Sequence, residues 1–418
     1  MLLTRRGSID GFFPPCAGAA RLNPAIKALL VDDDPLILRL LTAFLQGRGW
    51  ALDQATNGRE ALATLEQGGH NLVITDRHMP DMDGMALCRA IRQRATSGRG
   101  YVYCVMLTSA SDEATLVEAM EAGADDFLSK PLQPAQLGAR LRAAERVLAL
   151  EADLARRNLE LTQAYTRLSQ ELEMARTLQL GLLPAPAQFA PVHFEWFFQA
   201  SSYVGGDTFD YFPLGAHHVC FYLVDVAGHG VPAAMMAFHA HHQLRALSME
   251  GCERLAAGTE VGEVAAEVVA NYNRQFLRTA VEDSHYLTLL YGIFDLDRRL
   301  CSVVQAGHPP AMIVSTHEDG IRCVGEGGWP IGILEDAHYH ADSVPLQPGD
   351  RLALYSDGVT DCLNGQGEAF GVERLGELLV AARHGSLEQA AAGLRRALAE
   401  WRASGFEDDV TFLGMEVR

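Results

Sequence analysis

The stretch LLVDDDP at residues 29–35 decides how the first third of the chain is read. An apolar run breaks off in three carboxylates, and the same event recurs downstream. LVITD at 72–76, VMLT at 105–108 and DFLSK at 126–130 each carry an apolar run into a polar side chain. The predicted strands are 27–31, 51–55, 71–75, 101–107 and 126–129, with helical patterns between them, such as Pro35–Gln46 and Arg59–Gln67. Five βα repeats over residues 25–145 predict a doubly wound, five-stranded parallel sheet. Ligands in such sheets sit beyond the carboxyl ends of the strands. That rule draws Asp32, Asp33, Asp76, Thr108 and Lys130 to one edge. Converging carboxylates repel unless a cation sits among them, and hard oxygen ligands favour Mg²⁺ or Mn²⁺. A carboxylate beside such an ion, flanked by a hydroxyl and an ammonium, can attack a phosphoryl donor and stabilise the acyl phosphate.

LLVDDDP (29–35), LVITDRHMPDMDG (72–84), VMLTS (105–109) and DDFLSKP (125–131) resemble, in order and spacing, the motifs of two-component receiver domains. The resemblance implies a response regulator phosphorylated at Asp76 by a histidine kinase or phosphotransfer protein. It implies Mg²⁺ held by Asp32, Asp33, Asp76 and the backbone carbonyl of His78, with Thr108 and Lys130 contacting the phosphoryl group. Phe127 matches the family's switch aromatic; an ordinary core ring is the other reading.

Outward from this region the patterning changes twice. Between Gln136 and Leu183 the only glycines are Gly138 and Gly181, and there is no proline. Val147, Leu154, Leu161, Leu168, Ala175 and Leu182 recur every seven residues, which is one side of a heptad seam. The other side is mixed: Leu150, Arg157, Ala164, Glu171, Leu178. Residues 146–183 are therefore predicted to be a helical linker pairing as a coiled coil in a homodimer, the alternative being one long amphipathic helix lying on its own domains. From residue 184 onward β-rich runs alternate with Gly-rich turns. The runs are 193–200, 218–226, 288–296, 300–307, 312–316, 351–357 and 410–417, interrupted by helical blocks at 232–248 and 260–280. This predicts an α+β sandwich of two mainly antiparallel sheets over 184–418.

That last zone has its own carboxylates: Asp207 in VGGDTFD, Asp225 in DVAGHG, Asp357 in SDGVTD and Asp408 in EDDVTF. Four aspartates without Cys or His at ligand spacing point to Mg²⁺ or Mn²⁺ and not to zinc. A pair of such ions can activate a shared water for in-line phosphoryl hydrolysis. His229 and His308 are candidate general acids, but their Gly- and Pro-rich turns favour structural roles. Within residues 184–418 neither a Gly-x-Ser-x-Gly elbow nor a Cys-x5-Arg loop is present to supply a covalent nucleophile.

The blocks TLQLGLLP (177–184), VGGDTFDYF (204–212), DVAGHGVPAA (225–234), AGHPPAM (306–312), GWPIGI (328–333), LQPGDRLALYSDGVTD (346–361) and EDDVTFL (407–413) resemble the PPM-type serine/threonine phosphatases of the SpoIIE/RsbU-like branch. The resemblance implies two Mn²⁺ or Mg²⁺ ions bridged by Asp225, with the Val226 carbonyl, Asp357 and Asp408 as ligands and Asp207 bound directly or through water. Asp210 and Asp409 match motif positions of less defined role. The implied substrate is a phosphorylated STAS-domain anti-sigma-factor antagonist, in a partner-switching scheme. Two other readings stay open: a phosphorylation-controlled adaptor with little or no catalysis, and a phosphatase of receiver aspartyl phosphates.

Composition agrees with these readings by exclusion. Of 418 residues, 34 are Lys or Arg against 53 Asp or Glu, a net charge of −19, the wrong sign for coating nucleic acid. No apolar run approaches the roughly 18 residues of a membrane span, and the N-terminus lacks the apolar core of a signal peptide. The eight cysteines are dispersed with no Cys-x-x-Cys, which excludes a zinc or disulfide framework and suggests a reducing cytoplasm. Residues 1–24 read as a disordered tail.

Overall fold

The computed structural model describes residues 26–46, 48–96, 100–109, 113–279, 286–402 and 405–418. The tail expected over 1–24 lies outside the described residues. The chain divides into two compact units, Met1–Tyr165 and Thr166–Arg418.

The first unit holds β1 (Lys27–Val31), α1 (Pro35–Gln46), β2 (Ala51–Ala55), α2 (Gly58–Glu66), β3 (Leu72–Asp76), α3 (Gly84–Thr96), β4 (Tyr103–Thr108), α4 (Glu113–Glu121) and β5 (Asp126–Ser129). The sheet order is β2-β1-β3-β4-β5, and every pairing is parallel. Buried on both faces, its strands are continuous apolar runs whose alternate side chains serve two separate cores. Ala28 and Leu30 pack with Leu38, Leu41 and Leu45 of α1, while Leu29 and Val31 pack with Ala61 and Leu65 of α2 and Leu87 of α3. Helix α5 (Pro134–Leu182) begins by closing the first of these cores with Leu137, Leu141, Ala144 and Leu148. Further along, the heptad-seam residues Leu150, Leu154, Leu161, Leu168 and Leu178 are 53–71% exposed among the described residues.

The second unit continues with β6 (Ala187–Phe189), β7 (Val192–Gln199), β8 (Thr208–Leu214), β9 (His218–Val226), α6 (Val231–Ala256), α7 (Val261–Thr279), β10 (Leu287–Asp295), β11 (Leu300–Ala306), β12 (Ala311–Val314), β13 (Ile321–Val324), β14 (Ala341–Pro345), β15 (Arg351–Tyr355), α8 (Asp357–Thr360), α9 (Gly371–Ala381), α10 (Leu387–Trp401) and β16 (Val410–Val417). One sheet runs β14-β11-β10-β9-β8 and the other β13-β12-β15-β16-β7-β6, with antiparallel pairings throughout. Period-two alternation builds three cores from these strands. In β9, Val219, Phe221 and Leu223 face the other sheet, while Cys220, Tyr222, Val224 and Val226 face α6 and α7. In β16, Leu413, Met415 and Val417 face inward, and Val410 and Phe412 face the core shared with α9 and α10. The result is two sheets packed face to face with helices on both outer faces.

Several local expectations change, and β6, β13, β14, α9 and α10 were also not among the predicted elements. The strand expected to include Asp357 ends at Tyr355, and Asp357 opens the short helix α8. Strand β8, carrying Thr208–Leu214, was not among the predicted strands because Gly205, Gly206, Asp207 and Asp210 dilute its apolar alternation.

Candidate active site

In the first unit, β1, β3 and β5 deliver their polar ends to one edge. Lys130 lies 2.9 Å from Asp32 Oδ2 and 2.6 Å from Asp76 Oδ1, an ammonium between two carboxylates. Asp32 is fully buried; burial raises its pKa, and the Asp34 N–H and Lys130 work against that rise. The His78 N–H donates to Asp76 Oδ2 at 3.1 Å. Thr108 is buried at the end of β4, and Asp33 is exposed beside Asp32. A Cβ on Gly84 would stand 2.1 Å from the Asp76 carbonyl oxygen, so the chain after Asp76 closes up only around glycine. The Phe127 ring is half-buried beneath the Arg140 guanidinium, 5.6 Å from its centroid. Five of the predicted residues thus share one edge. An anionic oxygen at Asp76 would meet Lys130 there, and Asp32 with exposed Asp33 forms a hard-oxygen pair open to a hydrated Mg²⁺.

In the second unit, strand parity selects the site. The register Thr208↔Val224 puts Asp207 opposite Asp225 one rung further on. Asp207 shares the alternation of Phe209 and Tyr211, and Asp225 that of Phe221 and Leu223, so both belong to the space between the sheets. From the other sheet, Thr411 has the inward parity of Leu413, and its hydroxyl donates to Asp207 Oδ2. Ser356, buried next to Asp357, donates its hydroxyl to the Asp409 carbonyl and accepts from the Thr411 N–H, tying α8 to the start of β16. Two glycines permit the approach. A Cβ on Gly206 would lie 2.9 Å from the Val226 carbonyl oxygen, and one on Gly358 would lie 2.1 Å from the Asp409 carbonyl oxygen.

Burial and mutual charge perturb these carboxylates. Asp207 is almost wholly buried, and its pKa is held well above the carboxylate range, first by burial and then by the charges of Asp225 and Asp409. Asp225 is pushed up to about 7 by burial, then by Asp357, Asp408 and Asp409. Asp357 is raised by burial, then by Asp408 and Asp361, and Asp408 by burial and Asp409, with His229 acting the other way. Six carboxylates, Asp207, Asp225, Asp357, Asp361, Asp408 and Asp409, are linked by these influences with no lysine or arginine named among them, a donor set that suits hard divalent cations. Among the described residues, the trio of His, Cys, Asp and Glu side chains whose ligand atoms all lie within 4.8 Å is a different one: His193, Glu195 and Glu388. No three of the aspartates bring ligand atoms that close together among the described residues.

The remaining candidates separate cleanly. Asp210 has the opposite parity to Asp207 and points toward α6, where it pairs with Arg245 while the Tyr211 N–H donates to it. Asp409 is a buried structural anchor: its Oδ1 accepts from the Ser201 N–H (2.8 Å) and hydroxyl (3.0 Å), its Oδ2 from the Gly206 (2.5 Å) and Asp207 (3.4 Å) N–H groups. His308 is buried, hydrogen-bonded through Nδ1 to the Thr288 hydroxyl at 2.7 Å, and burial pushes its pKa down to about 3. It stays neutral and enclosed, the structural role its turn suggests. His229 is exposed beside Asp408. Sequence reasoning passed over Gln179, whose carboxamide brackets the Gly205 peptide, and Thr411; both lie inside the blocks quoted above.

Known proteins resemble both units. Residues 28–142 match the family model of the response regulator receiver domain, and residues 215–418 that of Stage II sporulation protein E (SpoIIE). The transcriptional regulatory protein ResD of Bacillus subtilis (strain 168) is 38% identical over 117 residues, covering 28% of this chain and 47% of ResD. The phosphoserine phosphatase RsbP of the same organism is 29% identical over 193 residues, covering 46% of this chain and 45% of RsbP. The chain thus spans about half the length of these curated relatives. The SiaA-PP2C domain of Pseudomonas aeruginosa superposes with a TM-score of 0.53 at 23% identity, over 61% of this chain and 99% of that domain, a likeness of fold.

Proposed function

Since the chain joins a response-regulator receiver domain (residues 28–142) to a PPM-type phosphatase domain of the SpoIIE family (residues 215–418), we propose that phosphorylation at Asp76 controls metal-dependent hydrolysis of a protein phosphoserine or phosphothreonine. The observation that supports the reading is the strand register that sets Asp207 opposite Asp225 between the sheets, with Thr411 of the other sheet bonded to Asp207 and Ser356, next to Asp357, bonded to the Asp409 carbonyl beside Asp408. In this reading Asp225, the Val226 carbonyl, Asp357 and Asp408, with Asp207 directly or through water, would hold two Mn²⁺ or Mg²⁺ ions. Bound there, the ions would supply a water of lowered pKa and offset the phosphoryl charge. The chain's own residues shape the site: Thr411 orients Asp207, and Ser356 holds α8 against β16.

In the receiver, Asp76 accepts the phosphoryl group from a histidine kinase or phosphotransfer protein. Asp32, Asp33, Asp76 and the His78 carbonyl would hold Mg²⁺, and Lys130 and Thr108 would contact the new phosphoryl oxygens. Phe127 serves as the switch aromatic. The substrate is a phosphorylated STAS-type anti-sigma-factor antagonist, a reading supported by the likeness to a phosphoserine phosphatase. The exposed seam of α5 pairs two copies as a coiled coil in a homodimer. Among the described residues no helix is long and apolar enough to cross a membrane, and the kinase and antagonist partners place the reaction in the cytoplasm.

The deciding experiment is Mn²⁺-dependent phosphate release from a panel of phosphorylated STAS proteins, with Asp357→Asn as control. Release by the native chain and not by the variant is expected. Binding of the panel without release from either would leave a phosphorylation-controlled adaptor in place of an enzyme.

A further inference from the structure

Asp207 sits at the end of a short loop, 201–207, that is held from two directions. From the sandwich, Asp409 takes the Ser201, Gly206 and Asp207 N–H groups. From α5, the Gln179 carboxamide takes both polar groups of a single residue: its Nε2 donates to the Gly205 carbonyl at 2.7 Å, and its Oε1 accepts from the Gly205 N–H at 3.0 Å. Val204, Gly205, Gly206 and Asp207 are all buried, so these backbone groups need protein partners in place of water. One side chain meets both needs of Gly205, and only in one orientation of its amide.

The loop has no slack between this clamp and the site. A Cβ on Gly205 would stand 2.4 Å from Asp409 Oδ2, and one on Gly206 would stand 2.9 Å from the Val226 carbonyl oxygen. Packed this closely, Gly205 cannot shift without carrying Gly206 and Asp207 with it. The helix end is fixed to the same sandwich just afterwards: Leu183 is buried, the Trp196 indole N–H donates to the Pro184 carbonyl, and the Tyr211 hydroxyl donates to the Ala185 carbonyl. Upstream of Gln179, Arg176, Thr177 and Leu178 are exposed. Gln179 is therefore where the position of a long helix becomes the position of a carboxylate.

We propose that Gln179 is a positioning residue that couples the last turn of α5 to the Asp207 loop, so that the placement of the helix sets how well the aspartate cluster binds divalent cations. The inference rests on the phosphatase reading of that cluster. A rotation or axial step of α5 is a discrete move, and a two-point amide clamp reads it as made or broken.

The test uses the full chain, with Mn²⁺ binding followed by titration calorimetry and amide hydrogen exchange followed over the 201–210 region. Gln179→Ala is expected to weaken Mn²⁺ binding roughly ten-fold, the scale of losing two partly buried hydrogen bonds, and to speed exchange at Gly205, Gly206 and Asp207. The melting temperature of the metal-free protein should fall by only a few degrees, the scale of two partly buried hydrogen bonds, and exchange elsewhere in the two sheets should hold. Gln179→Glu should weaken binding at least as much, because its second oxygen faces the Gly205 carbonyl. Beryllofluoride on the receiver should alter exchange at these three amides in the native chain and not in Gln179→Ala. Unchanged Mn²⁺ affinity and loop exchange in both variants would overturn the proposal. So would a general loss of protection across the sheets, which marks a merely structural role, or a native loop indifferent to beryllofluoride. A native chain that binds no Mn²⁺ would instead refute the phosphatase reading, and loop exchange in the variants would still decide whether the clamp exists.

Discussion

Replacing each of two adjacent aspartates by asparagine should give opposite results. Asp409 is buried and gathers four donors: the Ser201 N–H and hydroxyl on Oδ1, the Gly206 and Asp207 N–H groups on Oδ2. An asparagine offers one acceptor oxygen, and its NH₂ must face N–H groups on the other side. Turned either way it strands at least one backbone N–H, at about 1–3 kcal/mol for each buried group left unpaired. Removing a negative charge near Asp207 and Asp225 returns part of this, so the net loss for Asp409→Asn is about 2 kcal/mol. In a domain of this size that lowers the melting temperature by roughly 4–8 °C. Asp408 is exposed, and its one backbone contact, the Asp409 N–H at 2.8 Å, survives in an asparagine. Solvent screens its repulsion of Asp225 and Asp357, so Asp408→Asn should change metal-free stability by less than about 0.5 kcal/mol, in the stabilising direction. Metal reverses the order of severity. Saturating Mn²⁺ should raise the melting temperature of the native chain, and of Asp408→Asn by far less, because a cation that binds only the folded state stabilises it. The assay is thermal denaturation of the three proteins in chelator and in Mn²⁺. An Asp409→Asn protein no less stable than Asp408→Asn in chelator would refute the division of labour between the two carboxylates.

Three further outcomes are expected. Asp76→Asn should abolish uptake of phosphoryl from a small-molecule donor such as acetyl phosphate, with radiolabel incorporation as the readout; equal labelling of both proteins would remove the assignment. His308 has its pKa depressed by burial to about 3 from 6.5, so the unfolded chain binds the extra proton between those values. Its contribution to stability is therefore complete above pH 6.5 and shrinks as pH falls toward 3, by about 2 kcal/mol at pH 5; urea denaturation should show this slope flattened in His308→Gln. Leu161→Lys, on the open seam of α5, should shift the chain from dimer to monomer in sedimentation velocity without lowering the melting temperature of either unit, and a native chain that sediments as a monomer would discard the coiled-coil pairing.

Much of the site was legible because strands report their ends and their faces. Apolar runs broken by Asp32, Asp76 and Asp225 announce sheet edges without any knowledge of tertiary packing, since an aspartate is tolerated where a strand leaves the core. Alternation separates the next pair only once β8, missed in the sequence, is in place: Asp207 shares parity with Phe209 and Tyr211 while Asp210 shares it with Phe212 and Leu214. That parity sends one carboxylate between the sheets and the other to Arg245 on α6. The heptad spacing of α5 was equally plain, and its leucines are exposed among the described residues.

Local pattern therefore determined the doubly wound sheet, the two-sheet sandwich and the set of carboxylates available to each edge, while β8 and the helices α9 and α10 became visible only in the fold. Tertiary structure alone decided which neighbour of a pair does what: Asp408 open to solvent and Asp409 enclosed by four donors, Asp357 starting a helix after its strand had ended, Gln179 gripping a peptide 26 residues away. The reason is range. Periodicity records which face of an element is apolar, a property set by residues two to four positions apart. Hydrogen bonds between loops depend on where distant backbones halt against each other, and here glycines at 205, 206 and 358 set those halting points.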